Sequence, residues 1–283
     1  MAVKIVTDST SDISPEVAKA LNIAVVPAYI RFGSEVYRDG VDISTEEFYY
    51  KLTNSQIRPI TVEPSPDDFA KVYSECSKEA DGVISIHLSA KISRTYDSAL
   101  QGKKLTKGES PIEVIDSCFT SVGLLLIVLE AARLSQEGEN WQSILENTDK
   151  DAAHIHMYGL FDTMKYLATS ERLSGWLAVM ANARQVKPIL TFHNGEIVRA
   201  GLATSYADGI DKLYEFARLN SSIRDLAIAY SDSPEKADQL TARLGTIFPK
   251  EKIRVTKLGA TLGVHSGPGA LVLALRQKSV SYR

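Results

Sequence analysis

The amino-acid sequence predicts an α/β protein in two parts. An N-terminal doubly wound domain with a parallel sheet covers residues 1–150, and a C-terminal α+β domain with a mainly antiparallel sheet covers residues 151–283. Three observations carry this. Short apolar runs alternate with helical patterns through the first half, which is the order that parallel crossover units require. Past residue 150 an Asn-Gly pair joins two extended runs, the signature of a type I′ hairpin. The length of 283 residues suits two domains, although no repeat, low-complexity tract or Pro/Gly-rich linker separates them.

Taken in order, Val3–Thr7 is a buried-strand run, and Asp8-Ser9-Thr10-Ser11-Asp12 makes a polar turn at its carboxyl end. Pro15–Leu21 reads as a helix and Ile23–Ile30 as a second apolar strand. Ile30–Tyr37 reads as a hairpin with Gly33-Ser34 at its tip. Ser44-Thr45-Glu46-Glu47 is a capping box, in which a hydroxyl and a carboxylate satisfy the first free N–H groups of a helix. Ser65-Pro66-Asp67-Asp68 repeats the device, with proline preset for the first turn and acids placed on the positive helix end. Val83–Ile86 and Ile112–Ile115 are further short strands, each followed by a polar loop and a helix. Val122–Leu129 is the longest apolar run; it falls far short of the ~18 residues of a membrane span and reads as a buried helix.

In the second half, Val186–Phe192, Asn194-Gly195 and Glu196–Val198 form the hairpin. Leu226–Tyr230, Ile253–Lys257 and Ala270–Leu275 add strands, with amphipathic helices at Ala207–Leu219 and Ser233–Ile247. Hydrophobic residues make up 44% and charged residues 24%, with a net charge of -3, so no basic footprint marks a nucleic acid or an anionic membrane as partner. Cys76 and Cys118 lack C-x-x-C spacing, which argues against a disulfide scaffold or a zinc site and is compatible with a reducing compartment. The opening Met1–Asp8 reads directly as a strand. The expectation is a cytoplasmic protein without signal peptide or integral membrane segment.

Ligands of open parallel sheets collect beyond the carboxyl ends of the strands. Hydroxyl residues crowd those places: Thr7, Ser9 and Thr10; Thr61 and Ser65; Ser89, Ser93 and Thr95; Ser117, Thr120 and Ser121. Each group alone is explained by helix capping, but four at one rim make a surface of neutral donors suited to an anionic or carbonyl oxygen. Gly263-Val264-His265-Ser266-Gly267-Pro268-Gly269 sets a solitary histidine among glycines, either as a solvated turn or as a residue placed for a ligand. Walker A, Gly-x-Gly-x-x-Gly and Gly-x-Ser-x-Gly patterns are all missing, so no nucleotide site or nucleophile elbow has support. Ser93, His265 and Asp8 are the members from which a hydrolytic triad can be assembled. His154 and His156 alternate along a strand without a carboxylate partner, which favours strand packing over a metal site. No metal and no cofactor are expected.

Five segments then occur in a telling order: Thr7-Asp8-Ser9-Thr10-Ser11-Asp12, Tyr37-Arg38-Asp39-Gly40, Thr61-Val62-Glu63-Pro64-Ser65-Pro66, Ser93-Arg94-Thr95-Tyr96-Asp97-Ser98-Ala99 and His265-Ser266-Gly267-Pro268-Gly269-Ala270-Leu271. Together they resemble the DegV family of bacterial fatty-acid-binding proteins, from residue 3 to about 276. The resemblance implies a two-domain α/β carrier, without catalysis of its own, that encloses one long-chain fatty acid. It implies that Thr61, Ser93 and His265 hold the carboxyl group, with Arg94, Thr95 and Gly267 at the pocket rim. It also implies a partner fatty acid kinase that makes an acyl phosphate for phospholipid synthesis, with Arg172 and Arg199 in its docking surface. Two departures stand out. The family usually has Thr-Ser-Gln-Pro-Ser where this chain has Thr61-Val62-Glu63-Pro64-Ser65, and Ser-Gly-Thr where it has Ser93-Arg94-Thr95. The alternatives are an acyl esterase or thioesterase using Ser93 and His265, and a lipid-responsive sensor. Val122–Leu129 and Leu271–Leu275 are candidate tunnel walls, with core packing as the default.

Overall fold

The computed structural model describes residues 3–108, 110–167, 186–220 and 222–278. Strands β1 (Val3–Asp8), β2 (Ile23–Val26), β6 (Gly82–His87) and β7 (Ile112–Asp116) form one sheet in the order β2-β1-β6-β7. All three pairings are parallel, with Ile5 opposite both Ile23 and Ile84. The strands are joined through α1 (Pro15–Ala20), α3 (Pro66–Cys76) and α4 (Thr95–Leu105), as the alternating pattern requires.

The expected strand Ile23–Ile30 is in fact two. It breaks after Val26, and Tyr29–Phe32 becomes β3 of a separate sheet. Pro27 lies at the break and has no N–H to extend a ladder. That second sheet has the order β4-β3-β5, with β4 (Glu35–Arg38) completing the expected hairpin and β5 (Ile60–Val62) on its other edge. Between them α2 (Thr45–Asn54) opens on the Ser44 capping box, and α3 on that of Ser65, both fully formed.

The third sheet runs β10-β9-β8-β13-β11-β12, from β8 (Ile155–Leu160), β9 (Lys187–His193), β10 (Glu196–Ala203), β11 (Ile223–Tyr230), β12 (Ile253–Lys257) and β13 (Leu271–Gln277). Every pairing is antiparallel except β11 with β12. Asn194 and Gly195 both take positive φ at the β9–β10 turn, the conformation that type I′ demands. His156 lies on β8 and contacts Gln277 at 3.2 Å, whereas His154 falls in the preceding turn, so the two do not share a strand face.

Helix α5 (Ser121–Gln136) is apolar on nearly every side because it is covered on both. Val122, Leu124 and Ile127 belong to one core with Ile5 and Ile84 of the parallel sheet and Ala229 and Val272 of the mixed sheet. Arg276 on β13 is 2% exposed and reaches Glu130 of α5 and Asp151 of α6 (Trp141–Ala152), each at 3.1 Å. A cation so buried requires such partners.

Candidate functional site

Where the three sheets approach one another lies a cavity of about 450 Å³. Its wall is mostly apolar, with Leu88, Ile92, Met157, Phe161, Phe192 and Val272 among the lining side chains. Thr10, Thr61, Ser93, Thr95, Thr120, Ser121 and His265 supply polar groups to the same wall.

Thr61 is the middle residue of the three-residue edge strand β5. Its neighbours Ile60 and Val62 are 46% and 38% exposed, and strand alternation turns Thr61 to the opposite face. His265 does not sit in a glycine loop. It occupies the last turn of α7 (Ala260–Ser266), and the glycines follow, Gly267 with φ +68° as the helix stop and Gly269 with φ +78° before β13. The Thr61 hydroxyl and His265 Nε2 meet at 3.0 Å across 204 residues of sequence.

The position of α7 is set from its N-terminus, by residues that sequence reasoning did not single out as functional. Asp39, just past β4, accepts from the N–H groups of Ala260 and Thr261 at 3.1 and 3.0 Å. Asp12 accepts from the Gly259 N–H at 2.8 Å and from the Ser121 hydroxyl at 2.5 Å. Both carboxyls are buried. Burial raises Asp12 to about 8; its bonds to Ser121 and Gly259 pull the other way, and the nearby Asp39 and Asp8 add to the rise. Burial raises Asp39 as well. The sequence signal for them was weak: an aspartate after a strand reads as turn chemistry, and only the fold brings two of them to one helix end.

Ser93 precedes α4. Its hydroxyl accepts from the Thr95 N–H at 3.2 Å and lies 3.0 Å from the Thr95 hydroxyl, so the residue both occupies the first N–H of the helix and lines the cavity. Arg94 is not part of the cavity wall; its guanidinium reaches Glu63 at 2.5 Å. Gly267 is not part of the wall either. A side chain there would overlap the Tyr166 ring, so this glycine serves packing. Arg199 is exposed on β10 beside a register shift, and Arg172 lies outside the described residues. The candidate tunnel walls are mostly core. Leu125 and Leu129 of α5 line a different cleft, and of Leu271–Leu275 only Val272 reaches this cavity.

The hydroxyl groups divide in the same way. Thr7 donates to the Ile86 carbonyl, Ser9 accepts from the Ala28 N–H, Ser89 donates to the Gly195 carbonyl, and Ser65 caps α3, all away from the cavity wall. The set Ser93–His265–Asp8 is not assembled, because Asp8 is held by another histidine. His87 Nδ1 contacts Asp8 at 2.9 Å, His87 Nε2 contacts the Ser85 hydroxyl at 2.6 Å, and the Tyr73 hydroxyl donates to Ser85 at 2.9 Å. All four are wholly buried, so this Ser-His-Asp chain has no route to a substrate. Among the described residues, no group of His, Cys, Asp and Glu is arranged to hold a metal ion, and no helix is long and apolar enough to cross a membrane.

The same fold recurs in known proteins. The family model described as "Uncharacterised protein, DegV family" matches residues 2–278. A DegV domain-containing protein of Caldanaerobacter subterraneus subsp. tengcongensis is 32% identical over 279 residues, spanning 98% of this chain and 99% of that protein. Among solved structures, a DegV family protein from Thermus thermophilus, described for its fatty acid binding, superposes with a TM-score of 0.90 at 29% identity, over 98% of this chain and 100% of that one. DegV from Bacillus subtilis, described as a fatty acid binding protein, superposes with a TM-score of 0.88 at 26% identity, over 98% and 100% of the two chains.

Proposed function

Because this chain belongs to the DegV family, we propose that it is a cytoplasmic carrier that holds one long-chain fatty acid in the cavity between its halves, with the carboxyl group at Thr61, Ser93 and His265. The observation that carries this reading is the Thr61–His265 contact of 3.0 Å on the wall of an otherwise apolar 450 Å³ cavity. Two relatives of the same fold are described as binding fatty acids.

The energetics suit a lipid. Burying a tail of ~14 to 18 carbons at ~0.8 kcal/mol per methylene yields roughly 11 to 14 kcal/mol before the costs of association. The tail therefore supplies affinity, and the head group needs only orientation. Hydroxyls and one imidazole do this without the bidentate grip of an arginine, and they leave a carboxylate oxygen nucleophilic. The finer part of the proposal rests on the resemblance to the family, and that chemistry is compatible with it. The carrier presents the carboxylate to a partner fatty acid kinase, which transfers a phosphoryl group to it for phospholipid synthesis, with Arg199 and Arg172 as candidate docking contacts.

Native mass spectrometry of protein purified from bacteria tests the binding step. The expected spectrum carries the added mass of one fatty acid. A spectrum of the bare chain, together with no binding of oleate in a calorimetric titration, overturns the reading. Acyl phosphate formed from the bound lipid by a cognate kinase separates a carrier from a lipid sensor.

A further inference from the structure

The polar end of the cavity carries an ion pair that lipid retention does not require. Glu63 lies two residues beyond Thr61 and lines the cavity; Arg94 follows Ser93 directly. Their side chains meet at 2.5 Å, Glu63 22% exposed and Arg94 74% exposed. Arg94 makes no capping bond to α4, so its reach to Glu63 is not a by-product of ending that helix.

A pair this exposed is a poor strap, because solvent and side-chain entropy cancel most of its attraction. Its effect on charge is larger. Among the described residues that line the cavity, only Arg58, Glu63 and His265 are ionisable. An unbalanced Glu63 would place a negative charge on the wall where a fatty-acid carboxylate is to sit, and like charges in a partly desolvated site repel strongly.

We propose that Glu63 and Arg94 form a charge-balanced rim that determines how strongly the cavity discriminates a carboxylate head group from a neutral one. This rests on the fatty-acid reading above. With the pair intact the two charges cancel, and the hydroxyl–imidazole set meets the carboxylate on a wall whose remaining cation is Arg58. Loss of Arg94 turns the rim against an anion, and loss of the Glu63 charge frees a guanidinium to attract one.

The test compares oleate with oleyl alcohol, which shares its tail, by calorimetric titration of the delipidated full chain. Arg94→Gln is expected to weaken oleate about fivefold and Glu63→Gln to tighten it about fivefold, with oleyl alcohol unchanged within about twofold. The double variant returns to the wild-type oleate affinity, as does Arg94→Lys, which keeps the charge. Parallel changes for oleate and oleyl alcohol, or two single variants that move oleate in the same direction, overturn the proposal while leaving the carrier reading in place. A wild-type chain that binds neither ligand overturns both.

Discussion

A hydroxyl at residue 61 and an imidazole at residue 265 reach 3.0 Å only because two weak elements are forced together. The imidazole is carried on Ala-Thr-Leu-Gly-Val-His-Ser, whose glycine and β-branched residues are poor helix formers. From sequence alone the segment accordingly reads as a glycine loop. The helix exists because Asp39 and Asp12 bind its first N–H groups, and because the missing side chain of Gly263 leaves room for the Phe48 and Tyr49 rings. The glycine setting marks His265 as a candidate; its helical state is not legible there, since both aspartates come from the far end of the chain. Asp8 shows the converse. It was a plausible partner for His265, yet the parallel sheet sets it beside His87, whose neighbour on β6 provides the serine. Thr61→Val keeps the shape of the side chain and removes one hydrogen-bonding group. Its expected effect is a loss of oleate affinity of about fivefold, the ~1 kcal/mol net value of one hydrogen bond, with the melting temperature little changed. Isothermal titration checks it; affinity equal to wild type removes Thr61 from the carboxyl site.

At the scale of elements, the alternation of strand and helix signals, both capping boxes and the Asn-Gly hairpin were readable because each rests on contacts within a few residues. The β5 edge added to the β3–β4 hairpin was not, since β5 has three residues and its pairing with β3 spans a helix. This small sheet carries Thr61, and the residue just past β4, Asp39, holds the helix that carries His265, so the two sides of the contact are tied to one element. The Asp12–Asp39 junction also makes that arrangement sensitive to pH. Asp12 rises from 3.8 in the unfolded chain to about 8 in the fold. Between those values the folded state keeps a proton that the unfolded state has released, so stability is full below about pH 4 on this account and declines as pH rises, levelling above about pH 8. Chemical denaturation across that range is expected to show a falling contribution of up to one proton, and Asp12→Asn, which cannot ionise, is expected to flatten it. An unchanged slope in Asp12→Asn assigns the dependence to other groups.

For the molecule as a whole, the cavity is decisive because its wall draws on all three sheets: Leu88 beyond β6, Thr61 on β5, and Met157 and Val272 in the mixed sheet. Helix α5 already joins the parallel and mixed sheets in one core, and a ligand in the cavity adds a second tie between them. Oleate that binds the native state alone therefore stabilises both halves at once. At a hundredfold excess over its Kd the gain is about 2.7 kcal/mol, which for a chain of this size moves the melting temperature up by roughly 5 °C or more. Calorimetry with and without oleate is expected to show the whole heat-absorption peak displaced upward. A peak that splits, with one component left at the ligand-free temperature, means that the lipid contacts only one half and that the carboxyl site must be sought away from the Thr61–His265 contact.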